Sequence, residues 1–351
     1  MCERGYLMEM NMDFKRKLPM PSETKKMFPL TETMKNTIQV RVNELKSIFA
    51  GESSKLALII GPCSADNEDS VMDYISRLVP VQEKVRNELL IVPRIYTNKP
   101  RTTGEGYKGL VHQPDPESGP DLFKGIISTR ELHIRALSET GFVCADELLY
   151  PETYKYLDDL LGYVAIGARS VEDQQHRFTA SAIACPVGMK NPTSGDLSVM
   201  MNAIHAAQRE HDFIYRGWEG HSHGNHFAHA ILRGYVNRQG VLHPNYNYET
   251  LVYLAGLYSE AELYNPGVII DCNHSNSGKN PFEQPRIMKD VMLSCSYNSD
   301  VKKLVKGFMI ESYIEDGCQP VNGGVYGKSI TDACLGWDKT ERMIYEIAEM
   351  L

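Results

Sequence analysis

Leu56-Ala57-Leu58-Ile59-Ile60-Gly61-Pro62-Cys63-Ser64 is the stretch from which the fold can be read. A short apolar run, bounded by a turn and followed by a functional side chain, has the form of a strand buried on both faces. Seven more runs of this kind follow: Leu89–Ile95, Phe142–Ala145, Tyr163–Gly167, Pro186–Lys190, Ala228–Leu232, Gly267–Asp271 and Lys306–Ile310. Amphipathic stretches stand between or after them, among them Val171–Ala184, Leu197–Arg209 and Lys339–Leu351. Strand and helix in alternation imply βα units and a parallel sheet, and eight such units imply a (β/α)₈ TIM barrel. A doubly wound open sheet is the competing architecture. Asp212–Tyr215 is an extra strand candidate, read as a β-hairpin inserted before the sixth barrel strand. The polar segment 1–53, with Pro19, Pro21 and Pro29 and a short helix predicted over Thr37–Phe49, is assigned as an N-terminal extension to a catalytic barrel over 54–351.

The bulk composition excludes several classes. The 351 residues are 42% hydrophobic and 23% charged, with a net charge of −8, which suits a globular enzyme and gives no reason to expect nucleic acid as partner. No apolar run approaches the roughly 20 residues that cross a bilayer, and the charged start does not read as a signal peptide. The expectation is a cytoplasmic protein without a membrane partner. Eight thinly spread cysteines without a CxxC pair fit a reducing compartment.

Barrel enzymes build their sites on the loops that follow the strands. Those ends carry Cys63, Arg94, Glu147, Arg169, Lys190, Arg233, His274 and Glu311. Four cations gathered at one mouth repel one another unless an anion sits among them. Arg grips phosphate or carboxylate bidentately, and Lys can move a proton. Any one of these Arg residues alone is better read as an ordinary rim salt bridge. The turn Lys99-Pro100-Arg101-Thr102-Thr103 offers a place for a second phosphate, with Lys99 facing the reacting atoms. Cys63, His274, Glu311 and Asp332 supply a thiolate, an imidazole and two carboxylates, a set that suits Mn²⁺, Fe²⁺, Co²⁺ or Zn²⁺. His221-Ser222-His223-Gly224-Asn225-His226, with His229 beyond, is the denser metal-like tract. The stretch ahead of the sixth strand is read as a loop whose histidines are mostly solvent-facing or substrate-neighbouring, and it is ranked below the dispersed set.

Taken in order, the strings Gly61-Pro62-Cys63-Ser64, Arg94 with Lys99–Thr103, Ala165–Ser170, Cys185–Asn191, Ile231–Gly234, Asp271 with His274–Ser277, and Tyr326–Cys334 with Gly336-Trp337 resemble the class I 3-deoxy-D-arabino-heptulosonate 7-phosphate (DAHP) synthases. The likeness is to the short, microbial, feedback-regulated type and spans nearly the whole chain. It implies a transferase of the shikimate pathway, leading to aromatic amino acids, that joins phosphoenolpyruvate to erythrose 4-phosphate. It further implies one divalent metal on Cys63, His274, Glu311 and Asp332, phosphoenolpyruvate on Arg94, Arg169, Lys190 and Arg233, and the sugar phosphate on Arg101, Thr102 and the turn at Ala168. Lys99, Glu147, Lys190 and Asp332 become the catalytic candidates, an aromatic amino acid the effector, and a homodimer or homotetramer the assembly. Cys63 and Cys334 are expected to approach one another when metal is absent.

Two other readings have distinct signatures. A related 3-deoxy-octulosonate 8-phosphate synthase would use arabinose 5-phosphate but lacks the Lys99–Thr103 string. A catalytically silent barrel would keep an effector or metal site and lose the ligand set. The chain departs from the family at Tyr154-Lys155, where many members have Pro-Gln beside the effector pocket, and in its histidine-rich stretch His221–His229.

Overall fold

The computed structural model describes residues 11–351, so Cys2 and the first ten residues of the extension lie outside the described residues. Eight parallel strands form the centre: β1 (Leu56–Gly61), β2 (Leu89–Pro93), β3 (Ala145–Leu148), β4 (Tyr163–Ile166), β5 (Val187–Lys190), β6 (Ala228–Leu232), β7 (Val268–Asp271) and β8 (Val305–Glu311). Their hydrogen-bonded order is β2-β1-β8-β7-β6-β5-β4-β3. The two ends of that series meet where Arg94 bridges Ala145 and the Ile95 amide donates to the Ala145 carbonyl at 2.9 Å. The sheet is therefore a (β/α)₈ barrel, not the open doubly wound alternative.

Alternate residues of each strand point to opposite faces, and two apolar clusters follow from that period of two. Ala57, Ile59, Leu90, Val92, Ala145, Tyr163, Ala165, Ile231, Ile269 and Met309 fill the inside. Leu58, Ile60, Ile91, Val164, Ile166, Ile270, Phe308 and Ile310 pack outward among the helices. Full burial of such side chains contributes about 1.5–3 kcal/mol each. The inner packing is tight at Gly188, where an added Cβ would lie 2.1 Å from the Tyr163 hydroxyl.

Seven predicted strands match to within a few residues, and the third is displaced. Phe142, Val143 and Cys144 are a buried lead-in, whereas the ladder begins at Ala145 opposite Tyr163 and runs to Leu148. The apolar run misplaced it because the strand itself carries Asp146 and Glu147, both buried. Asp146 accepts from the Thr97 amide at 2.9 Å, which pins the start of the loop after β2. Helix ends moved to their caps. The expected Val171–Ala184 helix is Gln174–Ser181 behind Asp173, and Thr37–Phe49 extends to Glu32–Ala50, from the Thr31 cap to Gly51 at φ 76°. Leu197–Ala207 and Trp337–Ala348 match their predicted helices within three residues at each end.

The inserted hairpin is present, with His211–Tyr215 antiparallel to Trp218–Ser222. Its second strand takes in His221 and Ser222, which corrects the reading of that tract as loop. His229 lies in β6, where the predicted run Ala228–Leu232 had placed it, and being fully buried it does not share the solvent-facing character of the tract before it. Its Nδ1 lies 2.8 Å from the Phe227 carbonyl and its Nε2 2.8 Å from the Tyr163 hydroxyl. A carbonyl only accepts, so Nδ1 carries the proton and Nε2 accepts from Tyr163. The ring also stacks on Phe49 at 3.9 Å. Phe49, with Leu45 and Ile48, brings the Glu32–Ala50 helix into the inner cluster beneath the strands.

Burial holds the His229 imidazole neutral, lowering its pKa to about 3. The unfolded chain then binds more protons below the ordinary histidine range, so the ring's contribution is complete above about pH 6.5 and is lost as pH falls toward 3. The gap in melting temperature between the native chain and His229→Phe should narrow between pH 6.5 and 4. A gap that stays constant over that interval would remove this account of the ring.

Candidate active site

The period of two that fills the barrel also aims its mouth. Two residues beyond the inward-facing Val92, Ala145, Gly188, Ile231, Ile269 and Met309 stand Arg94, Glu147, Lys190, Arg233, Asp271 and Glu311. Each therefore continues the inner face of its strand as the apolar filling gives way to charge.

Cys63, Glu311 and Asp332 present ligand atoms within 4.8 Å of one another. Cys63 Sγ lies 3.5 Å from Asp332 Oδ2, and His274 Nε2 lies 3.8 Å from Glu311 Oε1. Three of the predicted donors, Cys63, Glu311 and Asp332, come together from positions 269 residues apart at their extremes, and His274 stands beside them at Glu311. Lys99 stands among them, its ammonium 2.7 Å from Cys63 Sγ and 2.8 Å from Asp332 Oδ2. Burial raises the Cys63 thiol to about 12, with the Glu311 charge adding to the effect. Burial also pushes Asp332 upward, but the Lys99 ammonium outweighs it and holds the carboxylate well below the usual range. The set attracts a cation and currently satisfies part of that demand with Lys99. One thiol, one imidazole and two carboxylates fit a borderline divalent ion.

Arg94 is 1% exposed and forms an ion pair with Glu311 at 3.2 Å. Its guanidinium covers the Tyr96 ring at 3.7 Å and donates to the Cys63 carbonyl at 3.2 Å. Its Nε and Nη1 are buried without a partner, as is Arg233 Nη1. Leaving such donors unpaired costs about 1–3 kcal/mol or more each, so they are prepared for oxygen atoms of a ligand. Lys190 lies 3.0 Å from Glu147 Oε2 and 3.9 Å from Asp271 Oδ2. Burial raises Glu147, and Lys190 overcomes that to keep it ionised. An added Cβ at Gly167 would come within 2.8 Å of Glu147 Oε1, so the turn after β4 needs that glycine for close approach.

The rim is more open. Arg169 is exposed and donates from Nε to Thr102 Oγ1 at 3.0 Å, so it joins the loop after β2 to the turn containing Ala168. Its charge reaches Arg233, whose pKa is lowered by burial first and by Arg169 among its neighbours. Arg101 Nε donates to the Tyr107 carbonyl at 2.8 Å. Cys334 is buried and free, as is Cys63.

Three participants escaped the candidate set. Asp271 lies 2.8 Å from His274 Nδ1, though off the line of a hydrogen bond, and opposes the Lys190 charge. Asn273 Nδ2 holds Glu311 Oε2 at 2.5 Å and the Ala333 carbonyl at 3.2 Å. Tyr96 lies under both Arg94 and Lys190. Counting by twos from Ile269 finds Asp271, whereas nothing local marks Asn273 or Tyr96.

The sequence pattern of the DAHP synthetase I family matches residues 35–344. The Phe-sensitive phospho-2-dehydro-3-deoxyheptonate aldolase of Escherichia coli strain K12 is 36% identical over 330 residues, covering 92% of this chain and 91% of that protein. The Tyr-sensitive enzyme of Salmonella typhimurium strain LT2 is 34% identical over 93% of this chain and 91% of its own, and the Trp-sensitive enzyme of Buchnera aphidicola subsp. Schizaphis graminum is 36% identical over 94% and 93%. The solved phospho-2-dehydro-3-deoxyheptonate aldolase of Francisella tularensis SCHU S4 superposes with a TM-score of 0.89 at 31% identity, covering 97% of this chain and 98% of that one. With its barrel, its converging mouth and a match that runs nearly end to end, the chain belongs to the DAHP synthetase I family.

Proposed function

We propose that the chain is a 3-deoxy-7-phosphoheptulonate synthase, condensing phosphoenolpyruvate with erythrose 4-phosphate to give DAHP and phosphate at the entry to the shikimate pathway. The observation that carries this reading is the meeting, across the Arg94–Glu311 ion pair, of unpartnered buried N–H groups of Arg94 and Arg233 with the Cys63, Glu311 and Asp332 donor group, which has His274 at its side.

Arg94, Lys190 and Arg233, with Arg169 at the rim, bind the phosphate and carboxylate of phosphoenolpyruvate. Arg101 and Thr102, facing the turn at Ala168, take the phosphate of the sugar, and the Arg169–Thr102 bond couples the two loops. Cys63, His274, Glu311 and Asp332 hold one divalent ion of the Mn²⁺, Fe²⁺, Co²⁺ or Zn²⁺ class, which when bound supplies Lewis acidity toward the aldehyde oxygen. C3 of phosphoenolpyruvate forms the new bond to the aldehyde carbon, and Lys99 protonates the resulting alkoxide. Water adds at C2, its proton taken within the Lys190–Glu147 pair, and phosphate departs by cleavage of its bond to C2.

Regulation belongs to the same proposal. Tyr154, Lys155, Thr179, Phe213 and His221 line a crevice between the hairpin and the barrel side, which suits an aromatic amino acid effector. Ile214 and Trp218 on the hairpin are 79% and 77% exposed, an apolar surface that supports a homodimer or homotetramer. A cytoplasmic place of work belongs to the same proposal; among the described residues no helix is long and apolar enough to cross a membrane.

With Mn²⁺, the chain should release phosphate from phosphoenolpyruvate in the presence of erythrose 4-phosphate, much more slowly with arabinose 5-phosphate, and not after chelation. Adding phenylalanine, tyrosine and tryptophan singly to the same assay identifies the effector. Preference for the five-carbon sugar, or turnover indifferent to chelator, would sink the assignment.

A further inference from the structure

Away from the mouth, Glu210, His221 and His223 offer ligand atoms that also lie within 4.8 Å of one another. The inserted hairpin assembles them. Asp212 and His221 are directly opposed across its two strands, so their side chains share a face. Glu210 immediately precedes the first strand and His223 immediately follows the second, so the two ends of the hairpin come together at its base.

The orientation of His221 is what distinguishes this group from scattered surface histidines. Its Nδ1 lies 2.7 Å from Asp212 Oδ1. An ionised carboxylate only accepts, so Nδ1 carries the proton and the lone pair is left on Nε2. That nitrogen stands 3.9 Å from Glu210 Oε2. The His221 and His223 rings are 5.2 Å apart at 70°, edge to face and not stacked. Donors about 2.1 Å from a tetrahedral ion are about 3.4 Å from one another, so small side-chain rotations complete the shell. An imidazole that gives its other N–H to a carboxylate is also the usual support of a metal-binding histidine.

We propose that Glu210, His221 and His223 form a second metal site, separate from the barrel mouth, that takes a Zn²⁺-class ion, with Asp212 as the positioning residue for His221. Two imidazoles and a carboxylate, without a thiolate, leave the fourth position to water. The base of the hairpin lies at the opposite end of the barrel from the mouth, because Asn225 donates to the carbonyl of Cys185, just ahead of β5, and His211 Nε2 bonds the Ala206 carbonyl. An ion there ties Glu210 to His223 and fixes the strand bearing His221 and Ser222, which form one wall of the side crevice.

Equilibrium dialysis of the full chain against Zn²⁺, with the metal counted by mass spectrometry, reads this directly. The native chain should hold one ion more than His223→Asn or Glu210→Gln, while Mn²⁺-supported phosphoenolpyruvate consumption is the same in all three. Asp212→Asn should keep the extra ion but bind it about 10–100-fold more weakly, since it loses only the orienting carboxylate. Equal metal content in the native and His223→Asn chains, or unchanged affinity in Asp212→Asn, would overturn the site. Because the readout is a difference of one ion, it stands whatever is found at the mouth.

Discussion

A Lys99→Met chain is expected to lose phosphoenolpyruvate turnover by a factor of about 10²–10⁴ while holding its divalent ion no less tightly than the native chain. The first part follows from the proposed role of Lys99 as the acid that protonates the new alkoxide. The second follows from position. The ammonium lies 2.7 Å from Cys63 Sγ and 2.8 Å from Asp332 Oδ2, so it partly occupies the same anionic donors that a metal would use. Losing it removes a competing cation and a like-charge neighbour together. Measuring kcat beside metal affinity separates the two effects. Near-native turnover would eliminate the acid, and a large loss of metal affinity would show that Lys99 builds the ligand set instead of competing for it.

Arg94→Met should produce the largest loss of stability at the mouth. Both partners of the Arg94–Glu311 pair are 1% exposed, and removing one partner of such a pair costs about 3–5 kcal/mol because the other charge is left uncompensated. For a chain of this size that corresponds to a melting point lower by roughly 5–10 °C in metal-free protein. Glu311→Gln in the same chain should restore part of the loss, since the orphaned charge is then gone. Mn²⁺ should restore part of it too if Glu311 is a ligand. KM for phosphoenolpyruvate should rise in parallel. A metal-free melting point within one degree of the native value would mean that Glu311 does not depend on Arg94.

The barrel could be read from the chain because its inner and outer faces are both apolar, which turns seven strands into plain hydrophobic runs. Ala145–Leu148 failed that rule for a functional reason: it places Asp146 and Glu147 where the rule expects apolar residues. Three of the proposed metal donors were legible because Cys63, His274 and Glu311 stand at or just beyond strand ends. Asp332 lies on a long final segment with no such frame, and it was named on its chemistry alone, as the second carboxylate beside a thiol and an imidazole. Tyr96 and Asn273 were missed because they act through other side chains, and stacking or a bridging amide leaves no spacing pattern. His229 misled in the opposite direction. Within a histidine-rich tract it counted as one of a set, while its neighbours Ala228, Ala230 and Ile231 already marked it as strand.

Phe49 has a consequence for how this molecule comes apart. The helix Glu32–Ala50 works as a cork, with Phe49 set against Tyr163 and His229 and with Leu45 and Ile48 in the same apolar cluster at the lower end of the staves. Drawing the cork would wet the underside of every inner layer at once. The helix ahead of Gly51 and the strands it seals are therefore expected to melt together, as one transition.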